Sequence, residues 1–176
     1  LETEGLLRVP GSAAPLGADD ARRRCFCSND YLGLAGHVVR QEASLGSGAA
    51  RLVSGDHPSH RALEAELQGW LQYPSALSFS SGYAANVGAL ACLLRPGDTV
   101  ISDALNHASL IDGIRLSRAK ATVVPHLDLA AVRRALAGPR IGRAWVVTES
   151  YFSMDGDGPD LAGLRAVCDA ADASLY

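Results

Sequence analysis

The chemistry of this chain is concentrated in short stretches. Phe79-Ser80-Ser81-Gly82-Tyr83-Ala84-Ala85-Asn86 reads as a strand end, a turn of small residues and a helix start. Free backbone N–H groups at a helix start bind anions, and small residues let a phosphate come close. An ordinary strand–helix turn with a serine cap has the same pattern. No lysine follows the glycine, so it is not a Walker A loop, and it lacks a GxGxxG fingerprint. Ser102-Asp103-Ala104-Leu105-Asn106-His107-Ala108-Ser109 puts His107 at a helix start. That position disfavours the charged ring, and a neutral ring there could stack on an aromatic ligand or merely neighbour the cap. Glu149 to Gly158 is a dense polar loop after an apolar run, with Ser153 at its centre. Its Asp155-Gly156 and Asp157-Gly158 pairs are turn signals, and the later bidentate Glu of a calcium loop is missing. Gly46 to Gly55 is glycine-rich and carries Arg51, which could hold a carboxylate or phosphate. His57, His60 and Glu64 imitate metal spacing, but no further ligand set accompanies them, so no metal is expected.

The elements that must position these groups follow from periodicity. Ser59 to Gln72 has Leu63, Leu67, Trp70 and Leu71 on one helical face, with Pro74 as its expected stop. Ala76 to Phe79 reads as a strand, Gly82 to Leu94 as an apolar helix, and Thr99 to Ile101 as a strand. His107 to Ala119 reads as a helix, Ala121 to Val124 as a strand, and Asp128 to Ala137 as a helix capped by Asp128. Ala144 to Thr148, Asp160 to Asp172 and Ser174 to Tyr176 read as strand, helix and strand. Such alternation predicts an α/β fold, a mainly parallel sheet with helices on both faces. Ligands in these sheets sit beyond the carboxyl ends of the strands. That rule marks the loops at Ser80–Tyr83, Ser102–His107, Pro125-His126 and Glu149–Gly158.

Composition removes other classes. The chain has 176 residues, 48% of them hydrophobic, which is enough for a buried core. With 16 basic against 19 acidic residues, a net charge of -3, its balance argues against a nucleic-acid scaffold. No apolar run approaches the roughly 18 residues that span a bilayer. Residues 1–24 are rich in Gly, Pro and Ala and read as a poorly ordered arm ending in the solvated run Arg22-Arg23-Arg24. The chain lacks an initiator Met and the order of a signal peptide. Cys25, Cys27, Cys92 and Cys168 read as structural thiols in a reducing cytoplasm, Cys92 as a small core residue.

Taken in order, the motifs resemble the α-oxoamine synthases, pyridoxal-phosphate enzymes of the aspartate-aminotransferase fold. The resemblance runs from Ser28 to the chain end. It rests on Ser28-Asn29-Asp30-Tyr31-Leu32-Gly33-Leu34, on Gly46 to Gly55 with His60, Leu63 and Glu64, and on Ser80 to Asn86. Asn106-His107-Ala108-Ser109 and Ser153-Met154-Asp155-Gly156-Asp157 complete the series. Arg51 to Gly55 and Asn106 to Gly113 are most similar to the branch of biotin biosynthesis. The glycine acetyltransferase and aminolevulinate branches remain the alternatives, with a non-catalytic fragment as a third.

The resemblance implies that pyridoxal 5'-phosphate is bound by Ser81, Gly82 and Tyr83 at its phosphate, with His107 stacked on its ring and Ser153 near its phenolic oxygen. It implies a catalytic role for His107, near the substrate carboxylate. It places Asn29 in the substrate region and Arg8 in the area of the family's substrate arginine. The implied reaction joins L-alanine to a pimeloyl thioester, carried by coenzyme A or a carrier protein, in a cytoplasmic homodimer. It further implies an N-terminal arm and lead-in over residues 1–45, and an incomplete large cofactor-binding domain over 46–176. The cofactor-binding lysine and an Asp–His pair are expected beyond Tyr176, so these 176 residues alone are expected to be inactive. Residues 38–45 are shorter than the family's helix there, which suggests a deletion or a stretch of omitted residues. Lys120 is the only lysine, and its place before a strand puts it at the wrong edge of the sheet.

Overall fold

The computed structural model describes residues 46–176 together with Leu32. The chain divides between Gly46 and Ser47, and the second unit is described by itself. The readings for Arg8, Cys25, Cys27, Asn29, the 1–45 arm and the 38–45 segment lie outside the described residues.

Each helix begins at a side chain able to take up a free backbone N–H. Helix α1, Pro58–Leu71, starts at His57, whose ring accepts from Ser59 N–H. It ends at Gln72, which adopts a left-handed φ of 57°, with Tyr73 N–H donating to Gln68 O at 3.2 Å. That left-handed cap, and not Pro74, stops the helix. Helix α2, Gly82–Leu93, starts at Ser81. Strand β1 is Thr99–Asp103, and helix α3, Ala108–Ser117, starts at His107. Strand β2 is Lys120–Val124, and helix α4, Leu129–Leu136, starts at Asp128. Strand β3 is Ala144–Val147; helix α5, Leu161–Ala170, starts at Asp160; strand β4 is Ala173–Leu175.

The strands form one parallel sheet in the order β2-β1-β3-β4. Thr99 pairs with Lys120 on one side and with Ala144 on the other. Successive residues of a strand face opposite sides, so the sheet supplies two cores. Val100, Trp145 and Val147 pack with Leu90, Leu94, Leu110 and Ile114 of the α2–α3 segment. Ile101 and Val146 pack with Val132, Leu136, Leu164 and Val167 of α4 and α5. Helices therefore cover both faces, as the alternation predicted.

At the amino edge of the sheet, buried Asp98 accepts from the N–H groups of Arg95 and Arg143 and from the Arg143 guanidinium at 2.8 Å. Burial pushes its carboxyl up, but Arg143 and the two N–H donors outweigh that and hold it below the usual carboxylate range. Asp98→Ala leaves these donors unpaired and is expected to cost about 2 kcal/mol at pH 7. Because the folded value is depressed, the stabilisation is complete above about pH 3.9 and is lost as pH falls through the folded value. Urea midpoints of both proteins at pH 7 and pH 3 check this; an unchanged gap between them would contradict it.

Two readings need correction, those for Ala76–Phe79 and Cys92. Ala76–Phe79 is not a strand: no strand lies beside it among the described residues, so it has no ladder to join. It is held instead by Glu64, whose Oε1 accepts from Ser78 N–H and Ser78 Oγ–H, each at 2.8 Å. The apolar face of α1 is unburied among the described residues, with Trp70 79% exposed and Glu64 the buried residue of the helix. Cys92 is exposed, because only one side of apolar α2, the side of Leu90, meets the core. Cys168 is buried in the α4–α5 core.

Candidate functional site

The strand order reverses direction at β1. β2 lies on one side of it and β3 on the other, and the connections leaving β1 and β3 diverge at their carboxyl ends. Such a switch point opens a crevice, which is where α/β sheets bind ligands. Asn106 ties its two rims together: buried Nδ2 donates to Ser102 Oγ at 3.0 Å and to Val147 O at 2.8 Å. Next to it, His107 N–H donates to Glu149 Oε1 at 2.6 Å. These bonds place His107 over the crevice, where it lines one cleft with Glu149, Phe152, Ser153, Met154 and Asp155.

The start of α2 adjoins this cleft. The Tyr83 and His107 rings meet edge to face with centroids 6.4 Å apart, and the Tyr83 hydroxyl donates to Asp112 of α3. Ser81 Oγ accepts from Ala84 N–H at 3.1 Å. The N–H groups of Gly82 and Tyr83 find no acceptor among the described residues, and the space beside Gly82 Cα is open. Ser81, Gly82, Tyr83 and His107 are thus brought together, and Ser153 shares the cleft of His107.

The loop carrying Ser153 is shaped by Phe152 N–H donating to Asp157 O and Gly156 N–H donating to Phe152 O, each at 2.8 Å. Gly156 has φ 74°, a left-handed conformation that suits glycine. His126 fastens this loop to the sheet. Its Nδ1 lies 2.9 Å from Asp103 Oδ1 and its Nε2 3.2 Å from Asp157 Oδ1, while its ring meets buried Phe152 edge-on. The Asp103 carboxylate raises the ring's pKa above the ordinary value; burial opposes this and Asp157 adds to it. The stabilisation is therefore complete below about pH 6.5 and is lost as pH rises through the raised value. His126→Phe is expected to speed hydrogen exchange at Phe152 and Gly156 about tenfold at pH 6. Relative to intrinsic rates, wild-type protection should fall above the raised value, and the variant should show no such step.

Arg51 is not free to hold an anion. It donates to Glu64 at 2.6 Å and to Asp56 at 2.9 Å. These bonds raise its own pKa and hold Glu64 at about 2, with Ser78 contributing to the latter. Around Arg51 the chain makes one wide helical turn, Arg51–Gly55, closed by Gly55 N–H donating to Ala50 O. His57 and His60 serve the start of α1, His60 Nδ1 accepting from His57 N–H at 3.2 Å. Sequence reading singled out neither Glu149 nor Asp103 nor His126 as a site residue. The strand-end rule marks their loops, but no spacing signals their pairing. Lys120 stands exposed at the opposite end of β2, as its sequence position implied.

At the switch point of this parallel sheet, a helix start with two N–H groups unpaired among the described residues lies beside an aromatic pair, an arrangement that suits a phosphorylated aromatic ligand. The family model for aminotransferase class I and II matches residues 25–175, and the chain belongs to that family. It is 47% identical to an 8-amino-7-oxononanoate synthase of Paracidovorax citrulli over 94% of this chain and 42% of the relative. Among solved structures, it is similar to a serine palmitoyltransferase from S. paucimobilis with a bound PLP–myriocin aldimine. The TM-score is 0.71 and the identity 30%, over 74% of this chain and 33% of that one. An 8-amino-7-oxononanoate synthase from Francisella tularensis is similar with a TM-score of 0.57 and 32% identity, over 63% of this chain and 32% of that one. The chain spans less than half the length of the curated relatives it matches.

Proposed function

We propose that this chain is the N-terminal part of an acyltransferase that condenses L-alanine with a pimeloyl thioester, with loss of carbon dioxide and the thiol carrier, to give 8-amino-7-oxononanoate. The carrying observation is the grouping of His107, Tyr83 and the unpaired Gly82 and Tyr83 N–H groups at the switch point, in a chain 47% identical to such a synthase. These residues fit pyridoxal 5'-phosphate: the start of α2 suits its phosphate and the His107 ring its aromatic face. Bound there, the cofactor supplies an electron sink for a carbanion at the amino-acid carbon.

The residues of this chain contribute binding and orientation. Ser81 caps α2 and keeps the two N–H groups pointed outward. Glu149 fixes the backbone of His107. His107 orients the ring and offers an N–H to the substrate carboxylate. Ser153 is proposed to donate to an oxygen on the same ligand. Asn29 and Arg8 are proposed to reach the substrate. The complete protein is proposed to be a cytoplasmic homodimer.

Lys120 stands at the wrong edge to anchor a cofactor, so Lys120→Ala in the full-length protein is expected to leave cofactor affinity unchanged. An absorbance titration checks it, and lost binding would contradict the assignment. The function is tested with the full-length protein and alanine or glycine against pimeloyl, acetyl and succinyl thioesters, each carried by coenzyme A or carrier protein. Thiol release with alanine and the pimeloyl donor supports the proposal. Turnover confined to glycine would move the protein to a sister branch.

A further inference from the structure

We propose that Ser109, Asn86 and Tyr176 are positioning residues that hold the neutral His107 ring with its proton on Nε2, facing the cleft. His107 Nδ1 lies 2.8 Å from Ser109 Oγ, and Ser109 Oγ lies 2.9 Å from Asn86 Nδ2. Asn86 Oδ1 in turn lies 2.9 Å from the Tyr176 hydroxyl. The chain crosses three parts of the fold: α3, α2 and the residue after β4. It ends on a fixed point, because Tyr176 N–H donates to Val146 O and its carbonyl accepts from Thr148 N–H.

Hydroxyls and amides can reverse, so such a chain could run either way. A backbone donor settles the direction here. Ser109 N–H lies 3.2 Å from His107 Nδ1 and cannot turn round, so Nδ1 must accept. Ser109 Oγ then places its own hydrogen on Nδ1 and turns its lone pairs to Asn86 Nδ2–H. Asn86 Oδ1 is left to accept from the Tyr176 hydroxyl. Every donor meets an acceptor in this sense, whereas the reverse leaves the Ser109 N–H without one. Ser109 is fully buried, so no solvent competes for its hydroxyl. The neutral ring must carry its proton on Nε2, which has no partner among the described residues. An Nε2–H is the donor that a carboxylate in the cleft requires. The value of that donor to catalysis rests on the function proposed above; the direction of the chain does not.

The test is nitrogen-15 NMR of the His107 ring in full-length protein without cofactor, assigned with His107→Gln. The wild type should show the Nε2–H tautomer. Asn86→Asp removes the amide donor and turns the Ser109 hydroxyl away from Nδ1. It is expected to move the tautomer ratio about tenfold toward Nδ1–H. Tyr176→Phe keeps the ring's packing and should move it the same way by about threefold, and it decides the matter alone if Asn86→Asp does not fold. A wild-type Nδ1–H tautomer, or ratios unmoved in the folded variants, overturns the proposal. A moved ratio with unchanged kcat/KM for the amino acid upholds the chain of bonds and counts against the role given to His107 in the reaction.

Discussion

His107→Ala in the full-length protein is expected to lower kcat/KM for the amino-acid substrate about 10²- to 10³-fold. The residue is asked to supply two things at once. Under the proposed function, its ring would fix the plane of the bound aromatic ligand and its Nε2–H would meet the substrate carboxylate. Loss of one preorganised donor costs on the order of 10²-fold, and misorientation adds to it. The fold should survive, because the ring is exposed and its Nδ1 contributes one cap to α3. Losing that cap costs about 1 kcal/mol. His107→Asn is the discriminating partner: it restores a cap acceptor but no aromatic ring. Activity that returns with Asn would mean that His107 acts only through the helix.

Gly113→Val is expected to cost about 3 kcal/mol of stability. A Cβ on Gly113 would lie 2.9 Å from Leu90 Cβ and 3.1 Å from Asn86 O, one contact being with backbone that cannot swing away. Leu90 and Ile114 are core residues at this crossing, so α2 and α3 must separate to make room. Gly113→Ala meets the same Cβ contacts but gains about 1 kcal/mol of helix propensity, and should be much milder. Thermal unfolding of both variants reads the difference. Equal midpoints for Val and Ala would show that the crossing is loose. The damage should reach the site, since Asn86 and the start of α2 move with the helix.

The parallel sheet and its helices were legible because the apolar runs are short, separate and bounded by Gly, Pro and Asp. Asp128 could be read as a cap because its reach is local. Ala76–Phe79 misled for the opposite reason: a strand is defined by its neighbour, and Leu77 and Phe79 have the pattern without one among the described residues. The spacing of Leu63, Leu67, Trp70 and Leu71 correctly gave a helix, but amphipathic spacing shows that a face exists and not that it is covered. In the site, motifs pointed to Ser81–Tyr83, His107 and Ser153. The partners that orient them were invisible: His107 and Glu149 are 42 residues apart, and Asn86 and Tyr176 are 90 apart. Only the folded sheet brings such pairs together.

The strand order also sets a sequence in time. During synthesis, β1 can pair with β2 before β3 has been made. The crevice does not exist at that stage, because its second rim arrives with β3. Asn106 and Val147 are 41 residues apart, and their bond closes that long loop. Until it closes, β1 presents an apolar open edge, the kind that joins other chains. The ligand site therefore cannot form before β3 is made, and a nascent chain paused before Ala144 still carries that open edge.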